Sequence, residues 1–282
     1  MTAVADPPRL ASRSRWSSAQ RYRRSLWLLT TRDLKVRYST SALGWLWSVL
    51  DPLLMAGIYW FVFTQVFHRG AVGSHPYIVF LLTALLPWTW FSGAIGDSTK
   101  AFTRDAKLIR STTIPRSIWV ARIVLSKGIE YVFSIPVLAV FVIGTQFASD
   151  PAERAGVHWQ VVLYPLAIAL QAGLTLGIGL IVAPLVVFFR DLERAVRLLL
   201  RLGFYASPII FSLTDLGRIH PAMEVVGALN PFSGVVTLYR TGFFPDEFAW
   251  LPVVTSVAWT AVLLTIGALV FRRTVPAVLK EI

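Results

Sequence analysis

Cysteine is absent from this chain of 282 residues, and its absence excludes three kinds of site. Without a thiol there is no disulfide framework, no thiolate metal centre and no cysteine nucleophile. Histidine is almost as scarce, because the chain has only four. They are His68, His75, His158 and His220. All four fall between predicted membrane spans without an acidic residue at ligand spacing, so we expect no metal site.

The sequence also lacks a phosphate-binding motif of the form GxxxxGK[ST]. We therefore expect that the chain does not bind or split ATP, holds no cofactor of its own and needs another subunit to supply energy if it is a pump. Charged residues make up only 15% of the chain, and the net charge is +12. The cations lie between long apolar runs rather than in one patch, so membrane topology explains them better than a nucleic-acid partner.

Long hydrophobic runs are what the chain does have. Hydrophobic residues make up 55% of it and the mean hydropathy is +0.62, which is typical of an integral membrane protein. Runs of roughly 18 or more mostly apolar residues predict six transmembrane helices in a single all-α domain, 1–282. The predicted spans are Ser48–Phe67, Tyr77–Gly96, Ile118–Phe147, Val161–Phe189, Leu198–Leu213 and Phe248–Phe271.

The basic residues predict the orientation of these spans. Twenty-three of the 27 Lys and Arg residues fall before the first span, around the start of the third, around the start of the fifth, or after the sixth. The remaining four are Arg69, Arg154, Arg218 and Arg240. Because cytoplasmic loops are enriched in Lys and Arg, both termini are expected in the cytoplasm. Residues 1–47 then form a cytoplasmic tail and an interfacial helix, 48–271 the spans, and 272–282 a second tail.

The stretch Thr31–Pro52 leads the chain from a basic segment into the membrane. Its cations, which precede the interfacial aromatics and the first apolar run, are Arg32, Lys35 and Arg37. Within 21–38, helical spacing brings Leu26, Leu29 and Val36 near one line, although Asp33 interrupts it. This pattern predicts an amphipathic helix in the headgroup plane, in contact with membrane lipids. The alternative is a juxtamembrane basic anchor.

The connection between the second and third spans has helical periodicity from Asp97 to Thr113. Phe102, Ala106 and Ile109 share one face of this predicted amphipathic helix, and cations share the other. Asp97 or its two successors supply an N-cap, and a proline ends the pattern. The candidate functional residues are Asp97, Lys100, Arg104, Asp105, Lys107 and Arg110. The alternative is a solvated basic loop.

Four arginines recur at spacings of 4, 3 and 4, which aligns them on one helical face opposite Leu192, Val196 and Leu199. They are Arg190, Arg194, Arg197 and Arg201. One interpretation is an arginine ladder at the inner mouth of a pathway, where it meets a diphosphate or an anionic lipid. The other is a helix end whose arginines extend toward the cytoplasmic interface.

The segment Thr214–Glu247 is long for a turn and still rather apolar. Asn230 and Pro231 are typical of an N-cap and first helical residue, so we predict two short helices that re-enter the outer leaflet. Such backbone is tolerated at that depth only inside protein or along a water-filled path. The segment is therefore expected beside an exit path, and its candidate residues are Asn230, Pro231 and Phe232.

Two features lie inside the predicted spans. Glu130 is the only acid well within one, and Lys127 precedes it by one turn, which favours a buried ion pair over a functional carboxylate. Gly173 and Gly177, one and two turns after Ala169, form a small-residue seam that predicts close helix packing.

Three stretches resemble the membrane subunit of ABC-2-type polysaccharide exporters. They are RDLKVRYSTSALGWLWSVLDPLL, which begins at Arg32, KLIRSTTIPRSIW at Lys107–Trp119, and FFRDLERAVRLLLRLGFYASPIIF at Phe188–Phe211. The resemblance implies a homodimeric permease in the bacterial cytoplasmic membrane. It implies two copies of an ABC ATPase as partners, which bind ATP and Mg²⁺, and a polyprenyl-diphosphate-linked glycan as cargo. It also implies that 97–113 is the coupling helix and that the external helices form a gate.

If the cargo is such a lipid, Arg32, Lys35 and Arg37 become candidates to present its diphosphate, because Arg binds phosphate in a bidentate manner. The alanine- and arginine-rich, lysine-poor composition favours an actinobacterial galactan alongside O-antigen and teichoic acid. Two alternatives remain open. One is an ABC-2 exporter of small molecules or drugs, and the other is a membrane-embedded enzyme that acts on polyprenyl phosphate.

Overall fold

The computed structural model describes residues 17–39, 43–66, 71–72, 75–147 and 154–281, and this part of the chain is almost entirely helical. Its helices are α1 (Ser18–Tyr38), α2 (Trp47–Trp60), α3 (Tyr77–Ser98), α4 (Ala106–Ser111), α5 (Ile118–Thr145), α6 (Tyr164–Phe188), α7 (Leu192–Ala206), α8 (Leu213–Ile219), α9 (Pro221–Ala228), α10 (Ser233–Arg240) and α11 (Trp250–Glu281). A π-helical segment, Phe61–Val66, continues α2. Two antiparallel two-residue strands, β1 (Ala71–Val72) and β2 (His75–Pro76), lie between α2 and α3.

Four helices among the described residues are long and apolar enough to cross a membrane. They are α3, α5, α11 and the helical segment Trp159–Phe188, which contains α6. Helices α3 and α5 correspond to the second and third predicted spans, Trp159–Phe188 to the fourth and α11 to the sixth. The first predicted span, Ser48–Phe67, corresponds to α2 and its π-helical continuation, which is a shorter apolar element.

The helix predicted for the fifth span, Leu198–Leu213, is wrong in its position. The structure has α7 at Leu192–Ala206, where it exposes its arginines along one face. Ser207 is extended, with φ −96° and ψ 150°, because the residue before Pro208 is disfavoured in the helical conformation. Fifteen residues rise about 22 Å, which is less than the roughly 30 Å thickness of a hydrocarbon core.

The predicted small-residue seam on α6 is confirmed as a helix-packing surface. A Cβ atom added to Gly177 would lie 2.7 Å from the backbone carbon of Leu263 in α11. A Cβ atom added to Gly267 of α11 would lie 2.4 Å from the carbonyl oxygen of Gly177. The two helix backbones therefore approach so closely that neither glycine has room for a side chain.

Helix α3 forms the centre of the bundle, since α2, α5, α6, α7 and α10 all pack on it. Most of its side chains from Tyr77 to Phe91 are buried. Trp90 donates from Nε1 to the carbonyl oxygen of Val124 at 2.9 Å, which fixes α3 against α5. Helix α1 begins at a capping box formed by Ser17 and Gln20 and lies against α5.

Candidate functional site

The cations of α1 are held by carboxylates from other helices. Arg37 donates from Nη1 to Oε1 of Glu130 at 2.8 Å and from Nη2 to Oδ2 of Asp97 at 3.0 Å. The other oxygen of Glu130 accepts from Nζ of Lys127 at 3.0 Å, so the predicted Lys127–Glu130 ion pair is confirmed. One arginine at the end of α1 thus bridges the end of α3 and the middle of α5.

A second arginine, Arg122, makes a similar bridge one layer away. It donates from Nη1 to Oδ1 of Asp33 in α1 at 2.9 Å and from Nη2 to a carboxylate oxygen of Asp105. Its side chain is only 3% exposed, and its guanidinium group lies 4.6 Å from the ring centre of Trp119. Arg32 is 3.6 Å from the other oxygen of Asp105. Burial raises the pKa of Asp33, while the nearby Arg122 acts to lower it.

These contacts form two neighbouring clusters of ion pairs, which we together call the charge network and which join α1, α3, α5 and the segment before α4. Its members are Arg32, Asp33, Arg37, Asp97, Asp105, Arg122, Lys127 and Glu130. Four cations match four carboxylates, so the network is electrically neutral. Arg32 and Arg37 therefore do not present uncompensated charge. Lys35 is exposed and forms no ion pair within the described residues.

Sequence reasoning missed Asp33 and Arg122 as members of this network. It treated Asp33 as an interruption of the apolar line on α1 and Arg122 as a topology residue. The available signal was that Arg122 lies inside a predicted apolar span, where a cation requires a partner. The partner itself was not evident, because Asp33 and Asp105 are 89 and 17 residues away in sequence.

The single amphipathic helix predicted from Asp97 to Thr113 is wrong. Helix α3 continues through Asp97 to Ser98, turns follow from residue 99 to 105, and α4 covers only Ala106–Ser111. The proposed capping residues do not start a helix, since Ser98 and Thr99 donate to carbonyl oxygens within α3 at 2.7 Å. We call residues 99–111 the 99–111 segment.

The 99–111 segment nevertheless has one buried face and one basic face. Phe102 and Ile109 are fully buried, and the ring of Phe102 lies 5.9 Å from that of Phe271 in α11. Its exposed cations are Lys100, Arg104, Lys107 and Arg110. The two carboxylates of the predicted site, Asp97 and Asp105, belong instead to the internal charge network. The apolar anchors thus hold a row of cations at the surface.

The arginines near α7 are all exposed, although the ladder is shorter than predicted. Arg190 lies in the turn before α7, and the other three, Arg194, Arg197 and Arg201, lie within the helix. Glu193 accepts hydrogen bonds from Arg197 and lies 3.4 Å from Nζ of Lys100 in the 99–111 segment.

At the other end of the bundle, the helix predicted to open at Asn230 begins instead at Ser233. The Asn230 side-chain oxygen accepts from the backbone N–H of Phe232 at 2.9 Å, which makes a turn before the helix. Its amide nitrogen donates to the carbonyl oxygen of Ala206 at 3.0 Å and to Ser207 Oγ at 3.1 Å. Asn230 therefore ties the turn before α10 to the end of α7.

Phe232 is buried against two aromatic residues of α3. Its ring lies 5.1 Å from Trp88 and 4.8 Å from Phe91. These three rings, with Pro231, line an apolar cavity of about 360 Å³ between α3, α6 and α7. The structure has three short helices here, α8, α9 and α10, rather than the predicted two.

Arg240, at the end of α10, was also missed by sequence reasoning. It is fully buried, and its guanidinium carbon lies 3.5 Å from the ring centre of Phe80. It donates to the backbone carbonyl oxygens of Ile209 at 2.9 Å and Phe211 at 3.4 Å. It therefore fixes the turn that joins α7 to α8.

The described residues contain no group of three or more His, Asp or Glu side chains able to hold a metal ion. The chemistry of the site is thus that of exposed guanidinium and ammonium groups at one end and aromatic packing at the other.

Comparison with known proteins identifies similar sequences along most of the chain. The family model for ABC-2 type transporters matches residues 24–244. An O-antigen export system permease protein RfbA from Klebsiella pneumoniae is 34% identical over 247 residues, which cover 87% of this chain and 90% of that protein. An O-antigen export system permease protein RfbA from Myxococcus xanthus is 31% identical over 89% of this chain and 92% of its own length. The polysialic acid transport protein KpsM of Escherichia coli is 25% identical over 90% of this chain and 94% of its own.

Proposed function

This chain belongs to the ABC-2 type transporter family, and on that premise we propose that it is the permease subunit of an ABC exporter for a polysaccharide. The observation that carries the proposal is that relatives named for O-antigen export and for polysialic acid transport align with 87–90% of the chain. The protein is a multi-pass membrane protein, and it is a transporter subunit rather than an enzyme. The proposed cargo is a polyprenyl-diphosphate-linked glycan of the O-antigen, teichoic acid or actinobacterial galactan type.

The proposed topology has six membrane crossings in the bacterial cytoplasmic membrane, with both termini in the cytoplasm. Four crossings are the long apolar helices, and the other two are α2 with its π-helical continuation and α7 with the turn that follows it. The distribution of cations supports this orientation, because the 99–111 segment, Arg190 with the start of α7, and the end of α11 lie at one end of the bundle. Helices α8, α9 and α10 would then lie in the outer leaflet.

The proposed partner is an ABC ATPase, bound as two copies to a homodimer of this chain and holding the ATP and Mg²⁺. The family implies the ATPase, and the 99–111 segment offers the surface for it. Because the ring of Phe102 packs near Phe271 of α11 and Asp105 pairs with Arg122 of α5, force on the exposed cations would be transmitted to both of these helices.

The variant Arg104→Glu with Lys107→Glu tests this contact. We expect weaker copurification with the ATPase, or ATP hydrolysis without glycan export. A matched control reverses two exposed charges at the same end, Arg272→Glu with Arg273→Glu on α11. Equal behaviour of the two double variants would contradict a special role for the 99–111 segment.

We further propose that the exposed arginines of α7 meet the diphosphate of the lipid carrier. Arg194 and Arg201 are exposed on α7, whereas Arg32 and Arg37 are paired with carboxylates. Guanidinium groups without carboxylate partners remain available for bidentate phosphate contacts. Contacts from Arg32, Lys35 and Arg37 to the diphosphate stay a prediction, with Lys35 the best placed by exposure.

The substrate contact is tested with the single variants Arg194→Lys and Arg201→Lys, each compared with the unchanged protein. Both substitutions keep the positive charge but remove the planar guanidinium group. We expect a higher concentration of lipid-linked glycan for half-maximal export. The control, Arg218→Lys, changes an exposed arginine of α8 at the other end of the bundle. Unchanged export in the α7 variants would exclude bidentate binding there.

A further inference from the structure

A polar cavity of about 240 Å³ lies between α2, α3 and α5, separate from the arginines of α7 and from the 99–111 segment. Six of the residues that line it carry aliphatic hydroxyl, carboxylate or ammonium groups that can meet a ligand. They are Asp51, Thr89, Ser92, Lys127, Glu130 and Ser134. Asp51 and Thr89 are exposed, so the cavity is open to its surroundings.

The cavity lies within the depth of the membrane helices. Ser92 and Thr89 precede the last residue of α3 by six and nine positions, or about 9 and 14 Å along the helix. Polar side chains at such depth are costly unless they face protein or a polar ligand, and they usually mark a functional pathway.

Three hydroxyl groups of the cavity wall donate their hydrogen bonds to backbone carbonyl oxygens within the protein. Thr89 donates to the carbonyl oxygen of Leu86 at 2.7 Å, and Ser92 donates to that of Trp88 at 2.8 Å. Ser134 donates to the carbonyl oxygen of Tyr131 at 2.6 Å. Each hydroxyl oxygen therefore remains as an acceptor for a ligand that brings its own donors.

The charged groups of the cavity add acceptors and a few donors but no net positive charge. Both oxygens of Glu130 accept from Arg37 and Lys127, and Lys127 retains N–H groups for a ligand. Asp51 forms no ion pair within the described residues and adds an uncompensated negative charge. A phosphate group would be repelled by Asp51, whereas uncharged hydroxyl groups can both donate to the acceptors and accept from Lys127.

We propose that this cavity binds one sugar ring of the exported glycan. The proposal rests on the proposed export function and adds a site to it. The volume is below the roughly 300–1,000 Å³ of pockets for drug-sized ligands, which suits a single ring. One wall is rigid, because Trp90 stacks on Tyr131 with ring centres 5.4 Å apart and donates to α5 through its indole nitrogen. Sugar hydroxyls would meet the cavity while the diphosphate stays with the arginines of α7.

The absence of cysteine from the chain allows a direct test with single-cysteine variants. The complex of Thr89→Cys protein and its ATPase is placed in lipid vesicles, and the rate of reaction with a small polar thiol reagent is measured. We expect reaction, and at least a fivefold slower rate when an O-antigen-type glycan on undecaprenyl diphosphate is added. Undecaprenyl diphosphate without sugar, and vesicles enriched in phosphatidylglycerol, are expected not to slow it.

Two further cysteine variants serve as controls. Ser39→Cys, exposed after α1, should react at the same rate with and without glycan. Ser126→Cys, which is buried in α5, should not react. The side chain of Asp51 is tested by Asp51→Asn, for which we expect about tenfold weaker protection of Thr89→Cys, because the amide keeps the shape but is a weaker acceptor.

Each outcome bears on the proposal. Protection by the lipid-linked glycan alone supports a sugar site. Equal protection by undecaprenyl diphosphate or phosphatidylglycerol overturns it in favour of a headgroup site, and a lack of reaction or of any protection also overturns it. If the complex exports glycan but Thr89→Cys is insensitive to it, only the sugar site fails. If the complex exports no glycan, the proposed function itself fails.

Discussion

Replacement of Arg122 by glutamine is the change to which the charge network should respond most strongly. The guanidinium group bridges Asp33 and Asp105 from a position that is 97% buried, so its removal leaves two carboxylates facing each other. Arg32 remains 3.6 Å from Asp105, but its side chain is 47% exposed, so its charge offsets little of the repulsion between the two carboxylates. Loss of one partner from a buried ion pair costs about 3–5 kcal/mol.

An exposed pair sets the scale for comparison. Glu193 and Arg197 also contact each other closely, but the Arg197 side chain is 56% exposed. Exposed pairs of this kind contribute about 0.2–1 kcal/mol. We therefore expect Arg122→Gln to lower the thermal unfolding midpoint of the purified protein several times more than Arg197→Gln, as followed by tryptophan fluorescence in detergent.

The pH dependence of this defect has a definite sign. Burial already raises the pKa of Asp33 above its ordinary 3.8, and Arg122 is the principal opposing influence. Without Arg122 the pKa of Asp33 should rise further. An acid whose pKa is higher in the folded state stabilises that state at low pH, and this contribution is lost as the pH rises through the folded pKa. The defect of Arg122→Gln should thus be largest at neutral pH and shrink on acidification toward 3.8.

A charge-neutral variant provides the internal check. Asp33→Asn and Asp105→Asn added to Arg122→Gln remove the unpaired carboxylates, so the triple variant should regain part of the lost stability at neutral pH. The reasoning is refuted if Arg122→Gln and Arg197→Gln unfold at the same temperature, or if acid fails to reduce the defect.

Two further predictions concern packing. Gly177→Ala should destabilise the protein by about 1–3 kcal/mol, because the added methyl group would meet the backbone of Leu263 at 2.7 Å. The control Gly144→Ala has open space around the added methyl group and should be neutral or stabilising. Thermal unfolding compares the two variants, and equal midpoints would contradict the close contact between α6 and α11. Arg240→Lys should lower the unfolding midpoint by the equivalent of about 1–3 kcal/mol, because the shorter lysine replaces two separate guanidinium nitrogens, each of which contacts a different carbonyl oxygen, with a single nitrogen. Arg218→Lys, at an exposed side chain, should not lower it, and identical effects would exclude the buried clamp.

The long helices of this fold could be predicted from sequence because their signal is local. A run of apolar residues is sufficient to identify α3, α5, α6 and α11, and the spacing of Gly173 and Gly177 identifies a packing face. The Lys127–Glu130 pair could be predicted for the same reason, because its members are one turn apart.

The remaining features depend on contacts between distant parts of the chain. Asp97 lies in the last turn of α3 rather than at the start of a new helix, and its partner Arg37 is 60 residues away in sequence. Arg240 contacts the carbonyl oxygens of Phe211 and Ile209, which are 29 and 31 residues earlier. No local sequence pattern predicts contacts over such separations. The end of α7 is an exception, since Pro208 was a local signal that the apolar run obscured.

The central claim is that this chain exports a lipid-linked polysaccharide with energy from a separate ATPase, and reconstitution tests it most directly. The chain and its ATPase are placed in vesicles with a glycan on undecaprenyl diphosphate, and transfer of glycan to the opposite leaflet is followed with an impermeant glycan-cleaving enzyme. We predict ATP-dependent transfer with both subunits, no transfer when either is omitted, and no ATP hydrolysis by the chain alone. Absence of transfer by the active complex, or ATP hydrolysis by the purified single chain, would contradict the account.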